Sequence, residues 1–248
     1  MNLGTPSKLV ALIGGSGAGK TWLAGKLQDV LGESLARLSL DDFYLDRSDL
    51  PPAERERITF DDPCAIDWPC VERVLRSCRA GSPVLAPRYD FTTHTRLPAP
   101  QLWQPAPLVL MDGLWLLLLP AIRSLFDLRI FLDCPEELRL QRRLARDVRE
   151  RGRSEASLHR QFCLTVAPMH ERYVVPQLAW ADIIVGQPVE VATICELAFF
   201  LRNLVPADSR KSAPSRFLAG GDFRSAARSQ VTLRTQHPAG LVEGTVGA

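Results

Sequence analysis

The sequence predicts an α/β protein in which a parallel sheet is covered by helices on both faces. Short apolar runs alternate with segments of helical period, as expected for successive β-α-β units. The apolar runs contain few polar residues, which is typical of parallel strands buried on both faces. The chain has 248 residues, of which 46% are hydrophobic, so it can form one domain with a full core.

The first three elements are predicted near the amino terminus. The apolar run 8–13 predicts a strand, and a cluster of glycines follows it. A helix is predicted over 21–31, because leucines and a valine recur there with a helical period. Segment 35–40 predicts a second strand, which ends at the acidic pair Asp41 and Asp42.

The middle of the chain predicts irregular structure and one more helix. Segment 46–69 is rich in Pro, Asp and Arg, so we expect a loop with a short helix. Residues 71–78 predict a helix, and the Gly-Ser-Pro sequence at 81–83 ends it.

The second half of the chain predicts three more buried strands. Their apolar runs lie at 108–111, 128–132 and 182–185. A long arginine-rich helical stretch begins near Pro135, and a final amphipathic helix is predicted over 187–204. The alternation of strands and helices therefore continues along the chain.

The glycine cluster after the first strand matches the pattern G-x-x-x-x-G-K-[ST]. The residues are Gly14, Gly15, Ser16, Gly17, Ala18, Gly19, Lys20 and Thr21. Glycines let successive backbone N–H groups point at phosphate oxygens, and the following helix presents its amino terminus to the same anion. Lys20 is expected to reach the β- and γ-phosphates, and Thr21 to bind Mg²⁺. The fold is thus predicted to be a P-loop NTPase-type sheet that binds ATP or GTP.

Two carboxylates are predicted at the same edge of the sheet as this loop. Asp112 ends the apolar strand of 108–111, and such a carboxylate is expected to hold Mg²⁺. Asp41 follows the second strand, where it can accept the proton of an attacking hydroxyl. Asp42 adds a second carboxylate beside it, so the pair offers two candidates for the base.

Four further segments match the motifs of one enzyme family. They are 41–44 (D-D-F-Y), 60–67 (F-D-D-P-C-A-I-D), 89–96 (Y-D-F-T-T-H-T-R) and 142–153 (R-R-L-A-R-D-V-R-E-R-G-R). Together with the glycine loop, they resemble the uridine–cytidine kinase branch of the phosphoribulokinase/uridine kinase family over about residues 8–187. The resemblance implies a kinase that uses Mg²⁺ and ATP or GTP to phosphorylate the 5′-hydroxyl of uridine or cytidine. It also implies an arginine-rich helical lid at about 135–165.

The resemblance assigns acceptor-binding roles to side chains that match these motifs. Asp61 would hold the ribose hydroxyls, since a carboxylate accepts from two vicinal donors. Tyr89 and His94 would face the pyrimidine. Gln161, at the expected distance after the lid motif, would help to hold the nucleoside.

The resemblance also assigns roles at the reacting phosphate. Asp41 would be the general base and would contact the metal through water. Arg146 and Arg151 would close over the phosphates, whereas Arg143 and Arg153 would flank the sugar and base. Other arginines of this stretch, such as Arg139 and Arg149, are predicted to lie on a solvated helix face.

The sequence departs from the family pattern at four matched positions. Asp112 stands where uridine kinases usually have Glu, and Asp42 replaces a Ser. Asp62 replaces a His, and Cys64 replaces an Asp, in the ribose-binding segment. Another acceptor, such as nicotinamide riboside or a sugar phosphate, therefore stays an alternative, as does a nucleotide-binding regulatory module without turnover.

Composition restricts the classes of partner and the compartment. A formal net charge of +2 gives no indication of nucleic-acid binding, and the apolar run 114–119 is too short to span a bilayer. The six cysteines show no zinc-ligand spacing, so we expect free thiols in the cytoplasm. We expect a kinase domain over 1–205 and a disordered tail over 206–248. The family resemblance implies a homo-oligomer.

Overall fold

The structure is a computed structural model that describes residues 6–55, 58–151, 154–206 and 231–233. Its elements are arranged around one central sheet. The strands are β1 (Lys8–Ile13), β2 (Leu35–Ser39), β3 (Val84–Ala86), β4 (Tyr89–Asp90), β5 (Thr95–Arg96), β6 (Gln101–Trp103), β7 (Leu108–Gly113), β8 (Leu128–Leu132), β9 (Ile183–Val185) and β10 (Val231–Leu233). Across these ranges the central sheet has the order β10-β9-β8-β1-β7-β2. All neighbours pair in parallel except β10, which is antiparallel to β9.

The five predicted strands are all present in the central sheet. β7 extends two residues beyond the predicted run and therefore includes Asp112. The sequence analysis missed β10, which lies within the predicted tail; the rest of that tail falls outside the described residues. It also missed two small antiparallel two-stranded sheets, β3 with β6 and β4 with β5, because strands of two or three residues show no period.

Helices pack on both sides of the sheet. They are α1 (Lys20–Leu31), α2 (Pro52–Arg55), α3 (Trp68–Arg79), α4 (Pro120–Arg123), α5 (Glu136–Arg151), α6 (Glu155–Gln161), α7 (Ala167–Met169) and α8 (Val191–Leu204). The short α7 lies between π-helical turns at Phe162–Val166 and His170–Val174. The predicted parallel sheet covered on both faces is therefore confirmed.

Alternation along β1 explains how both faces of the sheet are buried. Leu9, Ala11 and Ile13 join a core cluster that includes residues of α3, whereas Val10 and Leu12 join a second cluster with α1 and α8. Successive side chains of a strand point to opposite faces, so one apolar strand supplies both clusters. The carboxyl end of β1, where the phosphate loop begins, is therefore packed on both faces.

A helical turn at Leu40–Phe43 continues directly from β2 and carries Asp41. Parallel pairing of β2 with β7 aligns Ser39 with Asp112. The two predicted carboxylates therefore follow adjacent strands at one edge of the sheet. Within the described ranges, no helix combines the length and the apolar character needed to cross a membrane.

Candidate active site

The phosphate loop joins β1 to α1 and requires glycine at two positions. Gly17 and Gly19 have φ angles of 82° and 95°, in the left-handed region that favours glycine. A Cβ atom at Gly17 would also collide with the carbonyl oxygen of Arg139, at the start of α5. The arginine-rich helix thus packs directly against the loop.

The phosphate loop and the first turn of α1 line the cavity and carry hydrogen-bond donors. The N–H of Leu23 donates to the Gly19 carbonyl at 2.9 Å, so the preceding N–H groups have no partner within α1. The Lys20 ammonium donates to the carbonyls of Gly14 and Gly15 at 2.9 and 3.0 Å. Burial lowers the pKa of Lys20, and the carboxylates of Asp112 and Asp41 oppose that shift. The arrangement favours a bound polyphosphate.

Thr21 and Asp112 lie within hydrogen-bond distance of each other across the sheet edge. The Thr21 hydroxyl donates to Oδ2 of Asp112 at 3.0 Å. Asp112 is only 6% exposed, and burial raises the pKa of its carboxyl, although Lys20 lowers it. Hard oxygen ligands on a hydroxyl and a carboxylate fit Mg²⁺, which in phosphoryl-transfer enzymes keeps few protein ligands and binds substrate phosphates as well.

The structure separates the two carboxylates at the end of β2. Asp41 lines the main cavity, whereas Asp42 accepts a hydrogen bond from the backbone N–H of Tyr89 at 3.3 Å. Burial raises the pKa of the Asp42 carboxyl. Asp42 therefore fastens the β4–β5 hairpin to the sheet edge, and Asp41 is the carboxylate presented to a ligand.

Arg96 holds the backbone that carries Asp41, a role that the sequence analysis did not anticipate. Its Nε donates to the Tyr44 carbonyl at 2.9 Å, and its Nη2 donates to Oδ2 of Asp67 at 3.0 Å. Nη2 also lies 3.4 Å from the Phe43 carbonyl. Charge-assisted bonds of this kind are stronger than neutral ones, so they anchor the turn after β2.

A cavity of about 920 Å³ brings most of the predicted site residues together. Those in its lining are Ser16, Gly17, Gly19, Lys20, Thr21, Asp41, Asp61, His94, Asp112, Arg143, Arg146 and Gln161. This volume lies in the range of pockets that enclose small organic ligands. Phosphate-binding and acceptor-binding candidates therefore share one space.

Aromatic side chains form the end of the cavity away from the phosphate loop. The imidazole of His94 stacks on Phe60, with ring centres 4.5 Å apart and planes inclined by 16°. Phe91 and Tyr44 also line this end. These rings present apolar faces and edges against which a planar base can pack, and we call this end of the cavity the aromatic slot.

Tyr89, predicted to face the base beside His94, has a different position. It is 7% exposed and absent from the cavity lining, and its ring lies 5.1 Å from that of Phe91 and 5.3 Å from that of Tyr44. Burial raises the pKa of its hydroxyl to about 12. Tyr89 thus packs within the wall, and Phe91, two residues later, provides the aromatic surface of the cavity.

Arg143 connects the phosphate loop to the acceptor end of the cavity. Its Nη1 donates to the Ser16 hydroxyl at 2.8 Å and lies 4.0 Å from Oδ1 of Asp61. Its Nη2 lies 3.4 Å from Oε1 of Gln161. The three predicted acceptor residues Asp61, Arg143 and Gln161 are therefore neighbours in space.

A fully buried carboxylate holds two arginines of α5. Asp147 is 0% exposed; it accepts from Nε of Arg146 at 2.7 Å and lies 3.7 Å from Nε of Arg143. Breaking such a buried pair leaves an uncompensated charge, so Asp147 constrains where both guanidinium groups point.

Other arginines of α5 differ from their predicted positions or lie outside the described part. Arg139 is 2% exposed, so the prediction of a solvated face was wrong for it; it packs behind the phosphate loop. Arg142, not singled out from the sequence, donates to the Ala18 carbonyl at 3.1 Å. Arg151 ends the helix, but its side chain and all of Arg153 fall outside the described residues.

His170 lies against the phosphate loop and was also missed. Its ring atoms would be 2.8 Å from a Cβ atom at Gly15, so only glycine fits there without a shift. Burial, reinforced by the charges of Arg139 and Lys20, lowers the pKa of His170 to about 4. A histidine in a helical segment gives no sequence signal of this contact.

Replacing His170 with Gln is expected to reduce the loss of stability in acid. The unfolded chain binds the histidine proton near pH 6.5 and the folded chain only near 4, so unfolding takes up a proton between these values. Wild type should therefore lose about 2 kcal/mol of unfolding free energy through His170 between pH 7 and pH 5. Urea titrations at both pH values measure this difference. Exposed His159 is the control, and an equal acid loss in H170Q and wild type would contradict the prediction.

Known proteins resemble this chain over most of its length. The Phosphoribulokinase / Uridine kinase family matches residues 9–194. A uridine kinase of Lactobacillus helveticus is 36% identical over 181 residues, which cover 72% of this chain and 86% of that protein. A uridine kinase of Chloroflexus aggregans is 38% identical over 177 residues, which cover 71% of this chain and 85% of that protein.

Solved structures share the fold at lower identity. Phosphoribulokinase from Rhodobacter spheroides has a TM-score of 0.54 at 17% identity, covering 73% of this chain and 70% of that one. D-glycerate 3-kinase from Cryptococcus neoformans has a TM-score of 0.52 at 19% identity, covering 75% and 88%. The phosphate loop, the family match and the shared fold lead to the same family. The chain belongs to the phosphoribulokinase/uridine kinase family, whose members transfer phosphate from ATP to a hydroxyl group.

Proposed function

We propose that this protein transfers the γ-phosphate of Mg·ATP or Mg·GTP to the 5′-hydroxyl of uridine or cytidine, giving the nucleoside monophosphate. The observation that carries the proposal is the single cavity that joins the phosphate loop to Asp41 and to an aromatic slot. Relatives named uridine kinase, 36% and 38% identical, support this choice of acceptor.

The acceptor would lie with its base in the aromatic slot and its ribose near Asp61. The flat stack of Phe60 and His94 suits a planar base, and Asp61 with Arg143 suits vicinal hydroxyls. The 5′-hydroxyl would then point toward Asp41, which accepts its proton as the oxygen attacks phosphorus.

The phosphate side of the cavity would stabilise the charge that develops during transfer. Lys20 and the lid residue Arg146 provide positive charge, while Thr21 and Asp112 would hold Mg²⁺. The metal ion supplies neutralisation of the phosphate oxygens when bound. Arg151 and Arg153 stay candidates for closing the lid. Closure would exclude water and so limit hydrolysis of the donor.

A sugar phosphate fits the acceptor end less well than a nucleoside. Such a substrate needs cationic side chains for its own phosphate near Asp61. Arg96, one of the nearby arginines, is engaged with the backbone of the Asp41 turn and with Asp67.

All six cysteines are free thiols, which favours a reducing compartment such as the cytoplasm. The cytoplasmic location and a homo-oligomeric state both stay predictions.

A coupled ADP-release assay with Mg·ATP tests the acceptor directly. The panel is uridine, cytidine, adenosine, nicotinamide riboside and no acceptor. We expect turnover with uridine or cytidine and only background release with the others. Turnover with nicotinamide riboside alone would overturn the acceptor assignment. No turnover with any member, despite tight Mg·ATP binding, would favour a regulatory module.

A further inference from the structure

Trp22 is an exposed aromatic side chain at the edge of the active-site cavity. It is 50% exposed, and it alone among the exposed large apolar side chains of the described residues lines this cavity. An indole that is half exposed to water leaves an apolar surface that a ligand can cover favourably. Trp22 directly follows Thr21 of the phosphate loop, so the nucleotide that this loop binds is the ligand to consider.

The order of contacts along the phosphate loop gives the cavity a direction. Ser16, early in the loop, binds Arg143, which continues to Asp61 at the acceptor end. Ala18, later in the loop, binds Arg142 instead. The two parts of the loop therefore face different arginines, and only the Ser16 part is linked through its arginine to Asp61.

Trp22 follows the Ala18 part of the loop, in the first turn of α1. Its N–H is the last of the orphan donors that open α1, because Leu23 makes the first bond within the helix. Lys20 and Thr21 serve the terminal phosphates and the metal, so the next donor along the helix reaches the phosphate nearest the donor nucleoside. The indole of Trp22 thus borders the space for the donor ribose and base.

We propose that the indole of Trp22 stacks on the purine of the phosphate donor and forms its base subsite. Arg142, which is held by the Ala18 carbonyl and Oε1 of Gln187, borders the same part of the loop. Stacking on an aromatic face tolerates any base, so this contact recognises adenine and guanine alike. The inference builds on the proposed function, of which it specifies the donor side.

Fluorescence titration with Mg·ADP and Mg·GDP in the absence of acceptor tests this contact. Wild-type emission should change on binding, and the change should vanish in W22F, while affinity stays within about threefold because an aromatic ring remains. W22A should bind both nucleotides about tenfold more weakly. W103F, which removes a tryptophan outside this cavity, is the matched control and should keep the wild-type response.

Three outcomes would overturn the stacking contact. They are unchanged affinity in W22A, loss confined to one purine, or an emission change that persists in W22F. A raised KM for nucleoside with unchanged donor affinity would place Trp22 on the acceptor side instead. Because the titration contains no acceptor, failure of the uridine assay leaves this result intact, and the two proposals fail separately.

Discussion

The Asp41→Asn variant is expected to lose about 10³-fold in kcat while keeping near-wild-type affinity for Mg·ATP. Asp41 lines the cavity between the phosphate loop and the aromatic slot, where the proposed reaction requires uptake of a hydroxyl proton. Asparagine keeps the shape of the side chain but is not basic. Steady-state kinetics with uridine, together with a titration of ATP analogue binding, measure the two effects separately.

The neighbouring carboxylate provides the matched control. Asp42→Asn retains an oxygen that can accept from the Tyr89 N–H, so its kcat should stay within about tenfold of wild type. A larger loss in D42N than in D41N would identify Asp42 as the base. Equal losses of ATP binding and turnover in D41N would refute a role in proton transfer.

The Lys20→Ala variant is expected to lose about 10³-fold in kcat/KM, with a large part of the loss in kcat. The ammonium is held by the Gly14 and Gly15 carbonyls in a partly buried position, where charge is screened less than in bulk water. Removing it takes away the cation that, in the proposed mechanism, stabilises the transferring phosphate. Kinetics at saturating uridine and varied ATP measure the change.

Lys26 on the same helix serves as the control for Lys20. It pairs with Asp29 at 3.6 Å on an exposed face, so K26A should leave activity unchanged. Activity within about tenfold of wild type in K20A would contradict the placement of the γ-phosphate at this loop.

The sequence predicted the fold wherever a pattern repeats or a motif has a fixed spacing. The five parallel strands and the phosphate loop were found because apolar runs and glycines mark them. The convergence of Lys20, Asp41 and Asp112 followed from strand ends meeting at one sheet edge. Apolar runs and glycine spacing are local signals, and parallel pairing of the strands then places the three side chains at one edge.

The buried face of α5 shows why other parts were missed. Arg139, Arg143 and Asp147 lie four residues apart and are all buried, yet apolar periodicity cannot find a charged stripe. The four-residue spacing indicates that the three side chains share one face of the helix. Burial of that face depends on the phosphate loop, which packs against the helix. His170 and Tyr89 likewise depend on contacts distant in sequence.

The register that aligns Ser39 with Asp112 restricts which length changes the chain can survive. Deleting one residue inside β7 would turn Asp112 to the opposite face and separate its oxygen from Thr21. Connections outside the sheet, such as the segment around α2, carry no such constraint. Viable insertions and deletions should therefore accumulate in those connections, while the strand lengths at the carboxyl edge stay constant.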